Sequence, residues 1–202
     1  MELEHQYRSD CDILRLLADE FERMLERYLK ENKEEISSIV AHDAFEYHAP
    51  RYIPNLKVLL TSSLLIQIQG LLDFSLPKVV ERLSEIKKLT ITSFDKAWKG
   101  GSVLCWIKHI LKREIKSGFD FGSGSYSRLR DFYEIRNDQV HHGGYLSAEE
   151  RRVIVNKLKG IHISRYTDLY DIDFSYCRSV IDDAESFLIE VEKTILNKLG
   201  RI

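Results

Sequence analysis

RLRDFYEIRNDQVHHGG, residues Arg128 to Gly144, is the stretch whose reading decides the fold. Its apolar positions Leu129, Phe132, Tyr133, Ile135 and Val140 fall three, four and seven apart. That is the period of a helix with one face in a core. Arg136, Asn137 and His141 sit off the main stripe, and Asn137 and His141, four apart, share a face, so the amide can fix the imidazole tautomer. Arg136 lies about 140° around the helix from His141, with a side chain long enough to converge. Gly143 and Gly144 can close the helix in left-handed conformations, leaving His141 and His142 in its last turn, where an imidazolium gains from the helix dipole.

Outward from this stretch the same period recurs. From Ser9 to Ala41 the positions Ile13, Leu14, Leu17, Phe21, Met24, Leu25, Tyr28, Leu29, Ile36, Ile39 and Val40 keep it, with Ser9 and Asp12 forming a capping-box pattern. The wholly polar run Lys30 to Glu35 marks a kink or break. Asn55 to Phe74 is the most apolar helix, in which Ser62, Ser63 and Gly70 leave room for a close neighbour. Ser75 and Pro77 read as the cap and first turn of a further helix to about Leu89. Thr92 with Asp95 suggests another start, and Ala97 to Lys116 is helical, interrupted or entered at Gly100-Gly101. Ser117 to Ser127, SGFDFGSGSYS, is a Gly/Ser loop with three aromatics. Ser147 and Glu150 cap a short helix to Lys159. The alternation at Ile161 and Ile163, then at Tyr170, Ile172 and Phe174, predicts a small β-hairpin. Asp173 or Ser175 caps a last amphipathic helix. The expectation is an all-α fold of long antiparallel helices in a bundle, with a hairpin near 161–173, forming one domain over 1–202.

Composition narrows the function classes. With 44% hydrophobic and 31% charged residues the chain reads as a globular protein. The polar, acidic start Met1 to Asp12 does not read as a signal peptide. The uncharged run Val58 to Leu72 is short for a bilayer span, so a membrane is not expected. Cys11, Cys105 and Cys177 are isolated and odd in number, as for reduced cytoplasmic thiols. With no CxxC pair, no metal or other cofactor is expected; His42 and His48 are read as surface histidines. The net charge of −2 is unevenly spread. Residues 1–75 carry 8 Lys+Arg against 14 Asp+Glu, residues 76–160 carry 17 against 10, and residues 161–202 carry 5 against 8. The positive block contains the motif, so an anionic ligand is drawn there. Lys108, Lys112, Arg113 and Lys116 form a basic ridge, either a solvated face or a phosphate contact, and Arg128 and Arg130 add charge. Aromatics in the adjoining loop could stack on unpaired bases.

Arg136-Asn137 and His141 match the catalytic form of the signature of the HEPN superfamily, an Arg, often followed by Asn, with a His four to six residues on. His142 satisfies the same signature in a second register. The chain thus resembles HEPN proteins, and the helical layout from Pro54 onward is similar as well. The resemblance implies a metal-independent endoribonuclease acting on single-stranded RNA at a site shared by a homodimer, with Arg136, Asn137 and His141 catalytic. It also implies a toxin or phage-defence effector, with an antitoxin or defence-system partner. Phe132, Tyr133 and Tyr145 are the candidates for dimer contacts. Two readings from other classes stand beside it: a non-catalytic HEPN-like module that binds RNA, a nucleotide or a protein, and a purely structural helical dimerisation protein. In a structural role Arg136 would pair with Asp131 or Glu134 and His141 would donate to a carbonyl at a helix end. One HEPN subgroup has a tyrosine two residues after the histidine; Gly143 stands there.

Overall fold

The computed structural model describes residues 2–34, 52–88, 90–94, 101–122, 124–142, 149–163 and 170–199. Among them the chain is mainly helical. In order come α1 (Glu2–Glu31), α2 (Tyr52–Lys87), α3 (Val103–His109) running into a π-helical turn (Ile110–Glu114), α4 (Gly124–His142), α5 (Glu149–Val155), β1 (Ile161–Ile163), β2 (Tyr170–Ile172) and α6 (Phe174–Leu199). The two strands pair antiparallel, Ile161 opposite Ile172 and Ile163 opposite Tyr170, where the alternation predicts a hairpin.

Two compact units share these elements. The first comprises Met1–Ile13, Gln67–Glu134 and Ser179–Ile202; the second comprises Leu14–Ile66 and Ile135–Arg178. In the first unit, Leu72, Leu76, Trp106, Ile107, Ile110, Leu111, Leu129, Phe132, Phe187 and Leu188 are buried. Polar links tie its helices together. Ser125 donates to Glu190 at 2.9 Å and Arg128 to Asp183 at 2.6 to 2.8 Å, so α4 and α6 run antiparallel there. Tyr133 donates to Asp73 at 3.0 Å, and Tyr7 of α1 to Glu192 of α6. In the second unit, Leu60, Leu64, Leu65, Ile135, Ile172, Phe174 and Cys177 are buried. Arg178 bonds both Asp19 and Glu22 of α1, and the Tyr170 hydroxyl donates to the Ile135 carbonyl at 2.9 Å.

Several boundaries differ from the sequence reading. Helix α1 starts at Glu2, so Ser9 and Asp12 lie inside it instead of capping it. It ends at Glu31, where the polar run begins; residues 35–51, with His42 and His48, lie outside the described residues. The helices expected on either side of Ser75-Pro77 are one continuous helix. Pro77 removes the N–H that would bond the Asp73 carbonyl, but Ser75, Leu76, Val79 and Val80 are buried around it, and packing of this kind overrides a local stop signal. By length and composition α2 could cross a bilayer, a property that a largely buried core helix shares; nearly half of its apolar window is inside the fold. Helix α3 is capped by Ser102, whose hydroxyl accepts from the Cys105 N–H at 3.4 Å. Thr92 instead accepts from the Trp106 indole at 2.8 Å. Gly124 to Ser127, expected in a loop, open α4, and α5 stops at Val155. The Asp173 side chain does not cap α6; its backbone carbonyl accepts from Tyr176 and Cys177 while its carboxylate turns to Lys57 and His162.

Candidate functional site

Helix α4 carries the motif, and its pattern of burial sorts the motif residues. Arg130, Glu134, Asn137 and His141 are exposed, spaced four, three and four apart along one solvent-facing stripe. Leu129, Phe132 and Ile135 are buried on the other side. Arg136 falls between, half-buried, as the 140° separation requires. Its guanidinium reaches the exposed side at one nitrogen: Nη1 donates to Asn137 Oδ1 at 3.1 Å, while Nε is buried and, among the described residues, without a hydrogen-bond partner. Asn137 therefore engages the arginine. Among the described residues no hydrogen bond or ion pair engages His141, which leaves its imidazole open to solvent. The arrangement joins Arg136 to Asn137 and puts Asn137 and His141 on one face, but makes no direct link between Arg136 and His141. The side chain of His142, and all of Gly143, Gly144, Tyr145 and Ser147, lie outside the described residues.

Two motif residues take positions that sequence reasoning missed. Asp138 is 1% exposed and Gln139 3% exposed. Among the described residues neither amide atom of Gln139 has a hydrogen-bond partner. A polar residue beside Val140 on the inner side of the period was the available signal, hidden by the catalytic reading of its neighbours. Phe132 and Tyr133, the expected dimer contacts, are buried in the chain's own core, and Tyr133 is also held by Asp73; side chains spent this way cannot form an outer interface.

The basic residues belong to the first unit. Lys108, Lys112 and Lys116, with Phe119 and Phe121, line an open groove of about 610 Å³. Lys108 Nζ stands 5.8 Å from the centre of the Phe121 ring and 5.9 Å from that of Tyr126. Arg113 is exposed beside the ridge. Arg128 is engaged by both oxygens of Asp183, whose hydrogen bonds outweigh partial burial and raise its pKa further. Arg130 lies 3.6 Å from Asp131. The motif residues Arg136, Asn137 and His141 fall in the second unit.

A charged cluster in the second unit was also missed. Lys57 donates to Asp171 and to Asp173, and Asp173 also meets His162 Nε2 at 2.7 Å. Burial opposes the charge on Lys57, but the two carboxylates overcome it and raise its pKa. Burial likewise opposes ionisation of Asp173, and hydrogen bonds from Lys57 and His162 hold its carboxyl below the usual range. Lys57 is the one cation within the apolar run Asn55 to Phe74, and a charge placed there signals a partner of opposite sign. Burial pushes the Cys177 thiol up to about 12, so it stays protonated and unreactive. No group of three or more His, Cys, Asp or Glu among the described residues could hold a metal ion.

No protein-family model, curated protein or solved structure matches the chain. The functional argument accordingly stands on the side chains themselves.

Proposed function

We propose that the chain is an endoribonuclease of HEPN type that cleaves single-stranded RNA without a metal ion, with His141, Asn137 and Arg136 as its working groups. The observation that carries this reading is His141, exposed and unengaged among the described residues, on the same face as Asn137, whose carboxamide oxygen accepts from the Arg136 guanidinium. In a structural role His141 would be satisfied within the fold. Cleavage requires a base to take the ribose 2′-hydroxyl proton, a role to which imidazole is suited near neutral pH. It also requires a cation against the charge that develops on phosphorus, and a guanidinium binds phosphate in a planar fork. The 2′-oxygen then attacks the adjacent phosphorus and the 5′-oxygen leaves with a proton, giving a 2′,3′-cyclic phosphate and a 5′-hydroxyl.

One copy of the motif helix end supplies a single arginine and one or two histidines, and a second copy facing it brings a further imidazole as the acid for the leaving oxygen. The proposed active unit is a homodimer with the two motif helices facing across a two-fold axis. The proposed setting is a cytoplasmic toxin or phage-defence effector with an antitoxin or defence partner.

The test is incubation of purified chain with end-labelled single-stranded RNA in EDTA, with analysis of the termini. Cleavage with cyclic phosphate ends supports the reading; activity abolished by EDTA and restored by a divalent ion overturns it. The buried Nε of Arg136 favours a second reading, a non-catalytic binding module, because a guanidinium partly held inside has less freedom to follow a moving phosphate. Intact RNA that is nevertheless retained by the protein in this assay selects that reading.

A further inference from the structure

Helix α3 and the π-helical turn after it place three lysines four apart on a side that leads into an aromatic loop. Four residues of α-helix overshoot one turn by about 40°, so Lys108, Lys112 and Lys116 would drift around an unbroken α-helix. The wider i→i+5 winding over Ile110–Glu114 turns the chain less per residue and opposes that drift. The Ile115 N–H accordingly bonds the Ile110 carbonyl at 2.9 Å. All three lysines line the groove, and none is in an ion pair among the described residues.

The groove's far wall is fixed. Lys116 takes a left-handed backbone with φ 52°, a conformation unfavourable for an L residue that glycine would adopt more easily; strain of this kind collects at functional sites. The Ser117 hydroxyl then donates to the Leu111 carbonyl at 3.0 Å and accepts from the Phe119 N–H at 3.2 Å. The Asp120 carboxylate, the nearest acid in the loop, accepts from the Gly122 N–H at 2.8 Å. Phe119 packs on Phe187 with centroids 6.0 Å apart, and Phe121 meets Tyr126 edge-on at 5.0 Å. Both phenylalanines remain partly exposed. Rings seated in this way lose little freedom when a planar ligand stacks on them.

We infer that this groove binds unpaired nucleic acid, DNA as well as RNA, with the lysines on successive phosphates and the phenylalanines against bases. Lys108 and Lys112 lie one turn apart and Lys116 just beyond the helix end, which sets three positive charges along a strand instead of around one anion. Lysine is a point charge suited to phosphate and indifferent to sequence, and every base has a face that can stack. Among the described residues the lining side chains are lysines and phenylalanines, none of them a carboxylate or side-chain amide that would select a 2′-hydroxyl. The site is independent of cleavage by His141.

The experiment is fluorescence anisotropy of the full chain with a labelled oligothymidylate of about ten nucleotides, which contains no 2′-hydroxyl and cannot be cut by the proposed chemistry. Binding is expected at low salt, weakening as salt rises. In a Lys108→Ala/Lys112→Ala/Lys116→Ala variant the slope of log K against log salt should fall by about 2, three contacts at about 0.7 each. Phe121→Leu should weaken binding about five- to 150-fold, the range for loss of one stacked base. No binding to oligothymidylate, or binding that the triple variant leaves unchanged, overturns the inference. Thymidine triphosphate competing as well as the oligomer would also overturn it, by showing a nucleotide pocket in place of a strand groove. RNA cleavage without oligothymidylate binding would sink this inference and leave the proposed activity standing; the reverse result would do the opposite.

Discussion

Replacing Gln139 by Met tests whether the interior of the motif helix is built for stability or for something else. Gln139 is 3% exposed, and its Oε1 and Nε2 are both out of contact with solvent and, among the described residues, without hydrogen-bond partners. A buried polar group left unsatisfied costs about 1–3 kcal/mol. Met has nearly the same length, a comparable rotamer count and a similar helix propensity, so these contributions largely cancel. What remains is removal of the amide's desolvation cost. Gln139→Met should therefore stabilise the chain by about 1–3 kcal/mol, or about 2–4 °C in midpoint for each kcal/mol in a chain of this size. Far-UV circular dichroism through heat and urea denaturation measures it. Gln139→Glu, which buries a carboxyl in the same place, should move the midpoint the other way. A Gln139→Met midpoint below that of the parent would refute the reasoning, because it would mean that the amide is hydrogen-bonded in solution. RNA cleavage should survive the substitution, since Gln139 points away from the face that carries Asn137 and His141.

Arg136→Ala and His141→Ala should each lower RNA cleavage by about 10²–10⁴ while keeping the parent's circular dichroism; loss of activity in His142→Ala with His141→Ala still active would assign the other register. The Lys57, Asp171, Asp173 and His162 cluster should define a pH window. Asp173 has a depressed pKa, so its contribution is complete above the ordinary carboxylate range and is lost as pH falls through the folded value. Lys57 has a raised pKa, so its contribution holds below its ordinary value of 10.5 and is lost as pH climbs through the folded one. Asp173→Asn should flatten the acid limb of urea midpoint against pH, and an unchanged limb would remove Asp173 from that role. Gly160→Ala should destabilise by about 2 kcal/mol or more, since φ is 79° and an added Cβ would come within 2.7 Å of Ser175 Oγ and 3.0 Å of the Tyr176 nitrogen; an unaltered urea midpoint would contradict it.

The sequence is most legible where one period decides the structure. The helical spacing around Leu129 to Val140 and the alternation at Ile161 to Ile172 both lead to the elements observed. Legibility fails where long-range packing overrides a local signal. Ser75-Pro77 has every mark of a helix start, yet buried neighbours on both sides carry α2 through it. Ser9 and Asp12 form a capping pattern inside a helix that begins earlier. At the candidate site, the exposed face of Asn137 and His141 follows from the 3.6-residue period. The hydrogen bond between Arg136 and Asn137 lies within the reach that the arginine's length allows. The burial of Asp138 and Gln139 does not follow, because which neighbours cover a polar residue is set by chain segments far away in sequence. The same holds for Lys57, whose two partners are 114 and 116 residues downstream.

The π-helical turn at Ile110–Glu114 holds one residue more between Ile110 and Ile115 than an α-helical turn would. Elsewhere on a protein surface, adding or dropping one residue is commonly absorbed by a loop. Here the helix itself carries the slack: with one residue lost, the wide turn would relax to α-helical winding, and Ile115, then four residues after Ile110, would still lie about one turn beyond it. In a plain α-helix the same loss would turn everything beyond by about 100°. Among descendants of this gene, a copy one residue shorter in this turn would therefore keep the aromatic loop on the same side of the helix.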